Sequence, residues 1–262
     1  MPFWSFKNLS DDEAELRIDG EIVEDGWAWI YEWFGEPHSA PNKFRKALAE
    51  HKGKNITVWI DSWGGDVFAG VGIYNALKEH KGKVTVKIDG KAVSAASLIA
   101  MAGDEILMSP GSILMIHNPW TRTIGEAKDM RHAADVLDEV KEAILNIYQS
   151  RVKTKTREEI SQMMDDEEWM SARKAVAEGF ADGVLHSEEQ EGISAAFSIS
   201  RLAIQNSASA AMQRFFEQWQ KMQKDNEPEE PAPNSEENPA NSRVFDIQRR
   251  VSVREKSFRR YV

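Results

Sequence analysis

Three short segments of this 262-residue chain hold residue types that can do chemistry. In Gly90-Lys-Ala-Val-Ser94, a serine stands immediately ahead of the small and apolar run Ala95-Ala-Ser-Leu-Ile-Ala100. A serine that opens a helix sits beside free N–H groups and the positive end of the helix dipole. Both favour negative charge developing at an attacked carbonyl. In Met115-Ile-His117-Asn-Pro119, a histidine ends an apolar strand just before a proline break, where catalytic groups gather in open α/β sheets. In Asp61-Ser-Trp-Gly-Gly-Asp66, two glycines fall between a strand and a helix, so the chain can turn sharply and expose amide N–H groups. A hydroxyl, an imidazole and exposed amides are the parts of nucleophilic acyl transfer. Each has a plainer reading alone: a capping serine, a hydrogen-bonded structural histidine, a simple turn. The glycine segment lacks the Lys-Ser/Thr of a phosphate loop, which argues against nucleotide binding.

Elements able to position these residues alternate along the chain. Glu15–Val23, Asn55–Asp61 and Lys83–Ile88 are rich in β-branched residues and read as strands, with Asp89-Gly90 as a turn. Val67, Val71, Tyr74 and Leu77 are spaced three or four apart, so Val67–His80 reads as a helix. Ser94–Gly103 reads as a buried helix, and Glu105–Met108 and Ile113–His117 as short strands. From about Gly125 to Arg151 an apolar stripe of Met130, Val136, Leu137, Val140, Ile144, Ile147 and Tyr148 predicts a long helix. Thr156-Arg-Glu-Glu159 is a capping box for a helix reaching Met164. Ser171 caps another, Ala172–Glu178, which Gly179 stops. Strands alternating with helices predict βαβ crossovers and a parallel sheet.

Beyond Gly192 the alternation lapses. Met212, Phe215, Phe216, Trp219 and Met222 form one apolar helical face, fit either for a partner or for packing on the core. Asp225–Asn241 carries four prolines and five glutamates and reads as a disordered linker. Arg243–Val262 carries seven Arg/Lys against two acids, which suits an acidic partner or a solvated end. The expected divisions are an N-terminal segment 1–13, a catalytic domain 14–192, a helical extension 193–224, an acidic linker 225–242 and a basic tail 243–262.

Composition narrows the function classes. A formal net charge of −10 is the wrong sign for wholesale nucleic-acid binding. The absence of cysteine excludes a thiol nucleophile, disulfides and cysteine metal sites. None of the six histidines has the spacing of a metal motif; His38, His51, His80, His132 and His186 read as loop or helix-surface residues. No run is long enough to span a membrane, and the first residues do not form a secretory signal, so a cytoplasmic location is expected.

Taken in order, the three chemical segments resemble the Clp protease family, whose pattern is a Gly-Gly turn, then Gly-x-Ala-x-Ser, then Met-Ile-His-x-Pro. Flanking text agrees: Ala69-Gly70 before Ile73-Tyr74, Ala102-Gly103 after the serine, and a closing segment Trp169-Met-Ser-Ala-Arg-Lys-Ala-Val-Ala-Glu-Gly-Phe-Ala-Asp182. The resemblance covers roughly residues 14–187. It implies an α/β fold of the ClpP/crotonase type, with repeated ββα units and a long protruding handle helix. It also implies a serine endopeptidase with Ser94 as nucleophile, His117 as general base, and an oxyanion hole from the N–H groups of Gly65 and Ala95. Ser97, nearly one turn on, is the rival nucleophile. The family's acid lies two residues before an aromatic; counting back from Trp169 reaches Glu167, with Asp166 one residue away as the alternative. Trp63 and Ala95 depart from the family's usual residues and alter the pocket wall.

The seventy residues after the closing segment, and the phrases Ala-Met-Ala-Gly-Asp104 and Ile-His-Asn-Pro-Trp120, resemble the phage-prohead branch, whose members are thought to trim capsid and scaffold proteins. The family also implies homo-oligomeric rings interlocked through the Gly125–Arg151 helix, protein or peptide substrates, and no metal or nucleotide cofactor; any ATP would belong to a separate unfoldase. Two rivals share the fold: a crotonase-type acyl-CoA enzyme, and a catalytically silent assembly protein.

Overall fold

The computed structural model describes residues 6–8, 10 and 12–185. The expected extension, linker and basic tail beyond Gly192, and His186, lie outside the described residues. Among the described residues two units are delimited by their contacts: residues up to 119 together with 141–185, and a second unit that contains 120–140.

The first unit is a parallel sheet with helices in its crossovers. Strands β2 (Glu13–Ile22), β4 (Asn55–Gly65) and β5 (Val84–Val93) form its centre, all parallel. β6 (Glu105–Met108) and β9 (Gly183–Val184) extend it on the β5 side, again parallel. β1 (Phe6–Asn8) adds to β2 antiparallel, and β3 (His38–Ser39) joins β2 in parallel. β7 (Ile113–Ile116) pairs with the last residues of β5 and carries β8 (Glu168–Ser171) antiparallel on its far side.

The alternation of the strands explains the core. Leu16, Ile18, Val58, Ile60, Val86 and Ile88 are all essentially inaccessible, and their strand neighbours are half-exposed. Successive side chains on a strand point to opposite faces, so this pattern buries one face under helices. Helix α3 (Val67–Lys78) carries the crossover from β4 to β5. It is capped by Asp66, whose carboxylate accepts from the Ala69 N–H at 2.7 Å. Burial pushes the Asp66 carboxyl up, against the lowering effect of the Ala69 and Phe68 N–H groups. Helix α4 (Ala95–Ala100) is wholly buried.

Several elements differ from expectation. Asp89-Gly90 is not a turn: β5 runs on to Val93, because the pairing Ile60–Ile88 resumes at Ser62–Ala92. The two extra residues form a bulge, and Gly90 lies so close to the Asp61 carboxylate that a Cβ would fall 2.5 Å from it. Two helices went unread, α1 (Ala28–Phe34) and α2 (Pro41–Ala49). Their punctuation was present in the sequence: Gly35 ends α1 in the left-handed conformation, and Pro41 takes the first turn of α2. The crossover helix α3 stops at Lys78, two residues early, and α4 is shorter than Ser94–Gly103.

The long helix α5 spans Ala127–Arg151. Its expected apolar stripe is interrupted, since Ile144, Leu145, Ile147 and Tyr148 are buried while Met130 and Val136 are exposed. In the second unit, the Glu126 N–H donates to the Asp129 carboxylate at 2.8 Å, where the helix begins. Among the described residues no helix is long and apolar enough to cross a membrane.

The expected capping box opens α6 (Arg157–Asp165): Thr156 Oγ1 accepts from the Glu159 N–H at 3.2 Å, and Glu159 Oε2 accepts from the Thr156 N–H at 2.7 Å. Helix α7 (Ala172–Glu178) starts at Ser171 and stops at Gly179. Thr156→Ala removes one of the two reciprocal bonds and is expected to cost about 1 kcal/mol, read as a lower urea midpoint of the full chain.

Candidate active site

Ser94 occupies the N-cap position of α4, yet its side chain makes no capping hydrogen bond. Its hydroxyl lies 2.7 Å from His117 Nε2 instead. The backbone explains the choice. Ser94 has φ 57° and ψ −127°, a conformation that side-chain-bearing residues rarely adopt and that costs about 1–3 kcal/mol. This sharp strand-to-helix turn points Oγ away from the helix and toward the neighbouring strand.

Strand pairing brings the histidine there. β7 runs parallel to the end of β5 with Val93 beside Met115, and the Ser94 N–H donates to Met115 O at 3.0 Å. His117 follows two residues later, at the strand end. On the other side of β7 the antiparallel register pairs Met115 with Trp169 and Ile116 with Glu168. One step further sets His117 opposite Glu167.

Glu167 has φ 52°; with Ser94 it is one of two non-glycine residues among those described to hold a positive φ. It follows the α6 C-cap, Asp166, where glycine is the usual occupant. Burial pushes the His117 imidazole below its ordinary value, and the charge of Glu167 pulls it partly back up. Among the described residues His117 has no hydrogen bond to a carboxylate, so Glu167 acts on it through its field. Asp166 is exposed and accepts both 3.1 Å hydrogen bonds from the Gln162 amide. Asp165 is held below the usual carboxylate range by the Asn118 amide at 2.7 Å and Lys141 at 2.6 Å, which tethers the residue next to His117 to α5.

The Gly-Gly segment forms the last two residues of β4. Alternate N–H groups along a strand face opposite ways. The Gly64 N–H is taken by Ser62 Oγ at 3.0 Å, and the Asp66 N–H by Ile22 O at 2.8 Å, both on the β2 side. A Cβ on Gly64 would lie 2.5 Å from Val93 O, 2.8 Å from Ser94 Cβ and 2.9 Å from Ala95 N. Glycine at 64 thus lets the β4 backbone approach Ser94 and the first amide of α4, which has no intrahelical partner.

Ser62, which is not among the expected site residues, supports this segment. It is fully buried, and its hydroxyl donates to Gly20 O at 2.6 Å while accepting from Gly64, so it orients the glycine turn. Its signal was a serine at a buried strand position beside two glycines. Trp63 packs under Lys91, which is ion-paired with Asp61 across the β5 bulge. Ser97 is brought near Ser94 but turned away from solvent: its hydroxyl bonds to Ser94 O at 2.6 Å and to Tyr148 Oη at 2.7 Å.

Two of the remaining histidines are not surface residues. His38 and His51 are buried, because their Nδ1 atoms reach backbone carbonyls of Glu36 at 3.1 Å and Ala47 at 3.0 Å. His80 is half-buried against Lys54 O. Among the described residues no group of histidines and carboxylates has the arrangement of a metal site.

A family model described as Clp protease matches residues 45–188. Over 138 residues the chain is 31% identical to an ATP-dependent Clp protease proteolytic subunit of Chlorella vulgaris, covering 52% of this chain and 68% of that protein. Over 135 residues it is 33% identical to a protein of the same description from Porphyromonas gingivalis, covering 51% of this chain and 60% of that one. Among solved structures, a mutant ClpP1 from Listeria monocytogenes superposes with a TM-score of 0.54 at 23% identity, over 66% of this chain and 92% of that one. The last likeness is one of fold: a mixed α/β architecture on a parallel sheet.

If Glu167 supplies the field on His117, Glu167→Gln lowers the imidazole titration midpoint, because it removes the charge that favours the protonated ring. Asp166→Asn leaves the midpoint in place. Proton NMR of the imidazole, assigned with His117→Ala, reads both.

Proposed function

Because the chain belongs to the Clp protease family, we propose that it is a serine endopeptidase with Ser94 as nucleophile, His117 as general base and Glu167 as the supporting carboxylate. The observation that carries this reading is the 2.7 Å contact between a strained, uncapped Ser94 and His117 Nε2. A serine that only capped its helix would bond to the backbone ahead of it. Burial keeps His117 neutral and therefore able to accept a proton.

In the reaction the Ser94 oxygen attacks the peptide carbonyl as its proton passes to His117 Nε2. The ring's other proton is then on Nδ1, and the Glu167 charge stabilises the imidazolium. His117 returns its proton to the leaving amine. A water, deprotonated by the same ring, then hydrolyses the acyl-enzyme. The N–H groups of Gly65 and Ala95 receive the oxyanion, each contributing about 3 kcal/mol to lowering the barrier. No step calls for a metal or a nucleotide. A crotonase-type acyl-CoA enzyme would use the paired amides but has no use for a serine held against a histidine. A silent assembly protein has no reason to retain strain at Ser94.

The finer reading concerns setting. We place the chain in the phage-prohead branch, acting on capsid and scaffold proteins from within a homo-oligomeric ring in the host cytoplasm or prohead. The support is in the sequence: the acidic Pro-rich stretch 225–242 followed by a basic tail, and the phrases around Asp104 and Trp120. An ATP-dependent unfoldase would be a separate partner.

A fluorophosphonate is expected to form an adduct on Ser94, located by mass spectrometry, and to lose it in His117→Ala; absence of labelling in the assembled wild type would sink the peptidase reading. If the tail guides the protease into the prohead instead of building it, truncation after Gly192 is expected to leave short-peptide cleavage and oligomer size, measured by light scattering, unchanged. A truncated chain that no longer assembles contradicts that role.

A further inference from the structure

Ser97 and Tyr148 take no part in the steps above, yet both are buried at the back of the nucleophile. Tyr148 reaches the site from the second half of α5 and packs edge-on against Phe180 at 5.8 Å. Ser97 Oγ lies 2.6 Å from Ser94 O and 2.7 Å from Tyr148 Oη. A serine hydroxyl has one hydrogen. Ser97 donates it to the Ser94 carbonyl, so Tyr148 must donate to Ser97. Burial pushes the Tyr148 phenol well above its ordinary value, against the lowering effect of Ser97, so it keeps the proton this chain of bonds requires. The hydrogen bonds thus run in one direction, from Tyr148 to Ser97 to Ser94 O, and each polarises the next.

The geometry of one peptide unit makes this consequential. The Ser94 carbonyl and the Ala95 N–H belong to the same planar trans group, so they point in opposite directions. Fixing the carbonyl therefore fixes the direction of the Ala95 N–H, whose nitrogen lies beside Gly64. The first turn of α4 holds this carbonyl through the backbone, and the Ser97 hydroxyl adds a second, side-chain donor. The Ser97 N–H also donates to Ser94 O, at 2.9 Å, giving the carbonyl two donors from one residue.

We propose that Ser97 and Tyr148 are positioning residues that aim the Ala95 N–H at the oxyanion by anchoring the Ser94 carbonyl on the opposite edge of the same peptide plane. The inference rests on the peptidase reading with Ser94 as nucleophile. It assigns to the residue that rivals Ser94 in the sequence a supporting role.

The test uses full-length protein as wild type, Ser97→Ala, Tyr148→Phe and the double variant. Steady-state kinetics on a fluorogenic peptide, inhibition by a peptide boronate and the melting midpoint are measured for each. Ser97→Ala is expected to lower kcat about tenfold with KM unchanged, and to weaken the boronate, which mimics the tetrahedral state, by a similar factor. It also strands the Tyr148 hydroxyl without an acceptor, so the midpoint falls. Tyr148→Phe keeps the Ser97 bond and is expected to lose less kcat. The double variant removes the stranded hydroxyl, so the midpoint recovers while kcat does not. If Ser97→Ala does not fold, the double variant carries the same readout. Recovery of kcat together with the midpoint means that the pair is packing alone and overturns the proposal, as does wild-type kcat in Ser97→Ala. A wild type that fails to label at Ser94 with a fluorophosphonate removes the nucleophile reading and this proposal with it; a labelled wild type with an indifferent Ser97→Ala removes only the proposal.

Discussion

The site depends on one parallel strand pairing, the short ladder of Lys91–Val93 against Ile113–Met115. That ladder ends with the Ser94 N–H on Met115 O, and it sets the distance between a serine at the end of one strand and a histidine at the end of the next. The bulge at Asp89-Gly90 serves the same end. Two extra residues in β5 shift its register by two, so that Ser94 comes level with Gly64 instead of Asp66 and lies between the glycine segment and β7. A small change in this register would separate groups that act only within hydrogen-bond reach.

Around the Ser94–His117 contact the chain spends conformational energy at two places, Ser94 and Glu167, both non-glycine residues at positive φ. Strain of this kind persists only where the surroundings over-determine it. At Ser94 the surroundings are the β7 carbonyl in front and the Ser97–Tyr148 hydroxyls behind. At Glu167 they are the end of α6 and the first residue of β8. The electrostatics follow the same economy of placement. Desolvation holds the His117 imidazole below its ordinary value, and a single half-buried carboxylate offsets part of that effect. The neighbouring acids are diverted, Asp166 to Gln162 and Asp165 to Asn118 and Lys141.

Much of the fold was legible because its signals are local. The alternation of β2, β4 and β5, the Thr156 capping box and the Gly179 stop all depend on residues within one or two turns of each other. The bulge was misread because Asp-Gly is a turn signal in isolation; that it remains in a strand depends on Asp61 and on β7, far away in sequence. The α5 stripe was read too long because periodicity reports an apolar face without saying how far along the helix a neighbour covers it. His38 and His51 were placed at the surface because a histidine satisfied by a backbone carbonyl leaves no mark on the local pattern.

For the candidate site, the order and spacing of Gly64-Gly65, Ser94 and His117 were enough to single out residues that the structure brings together, since each is tied to the end of an element with a strong local signature. The sequence left open which of two adjacent carboxylates lies near His117, and which of two serines is hydrogen-bonded to it. Those questions turn on which way a side chain points. The β7–β8 register sets Glu167 opposite His117, and the packing of Tyr148 from α5 turns Ser97 inward. Both depend on partners brought together only when distant strands and helices meet, so only the tertiary structure decides them.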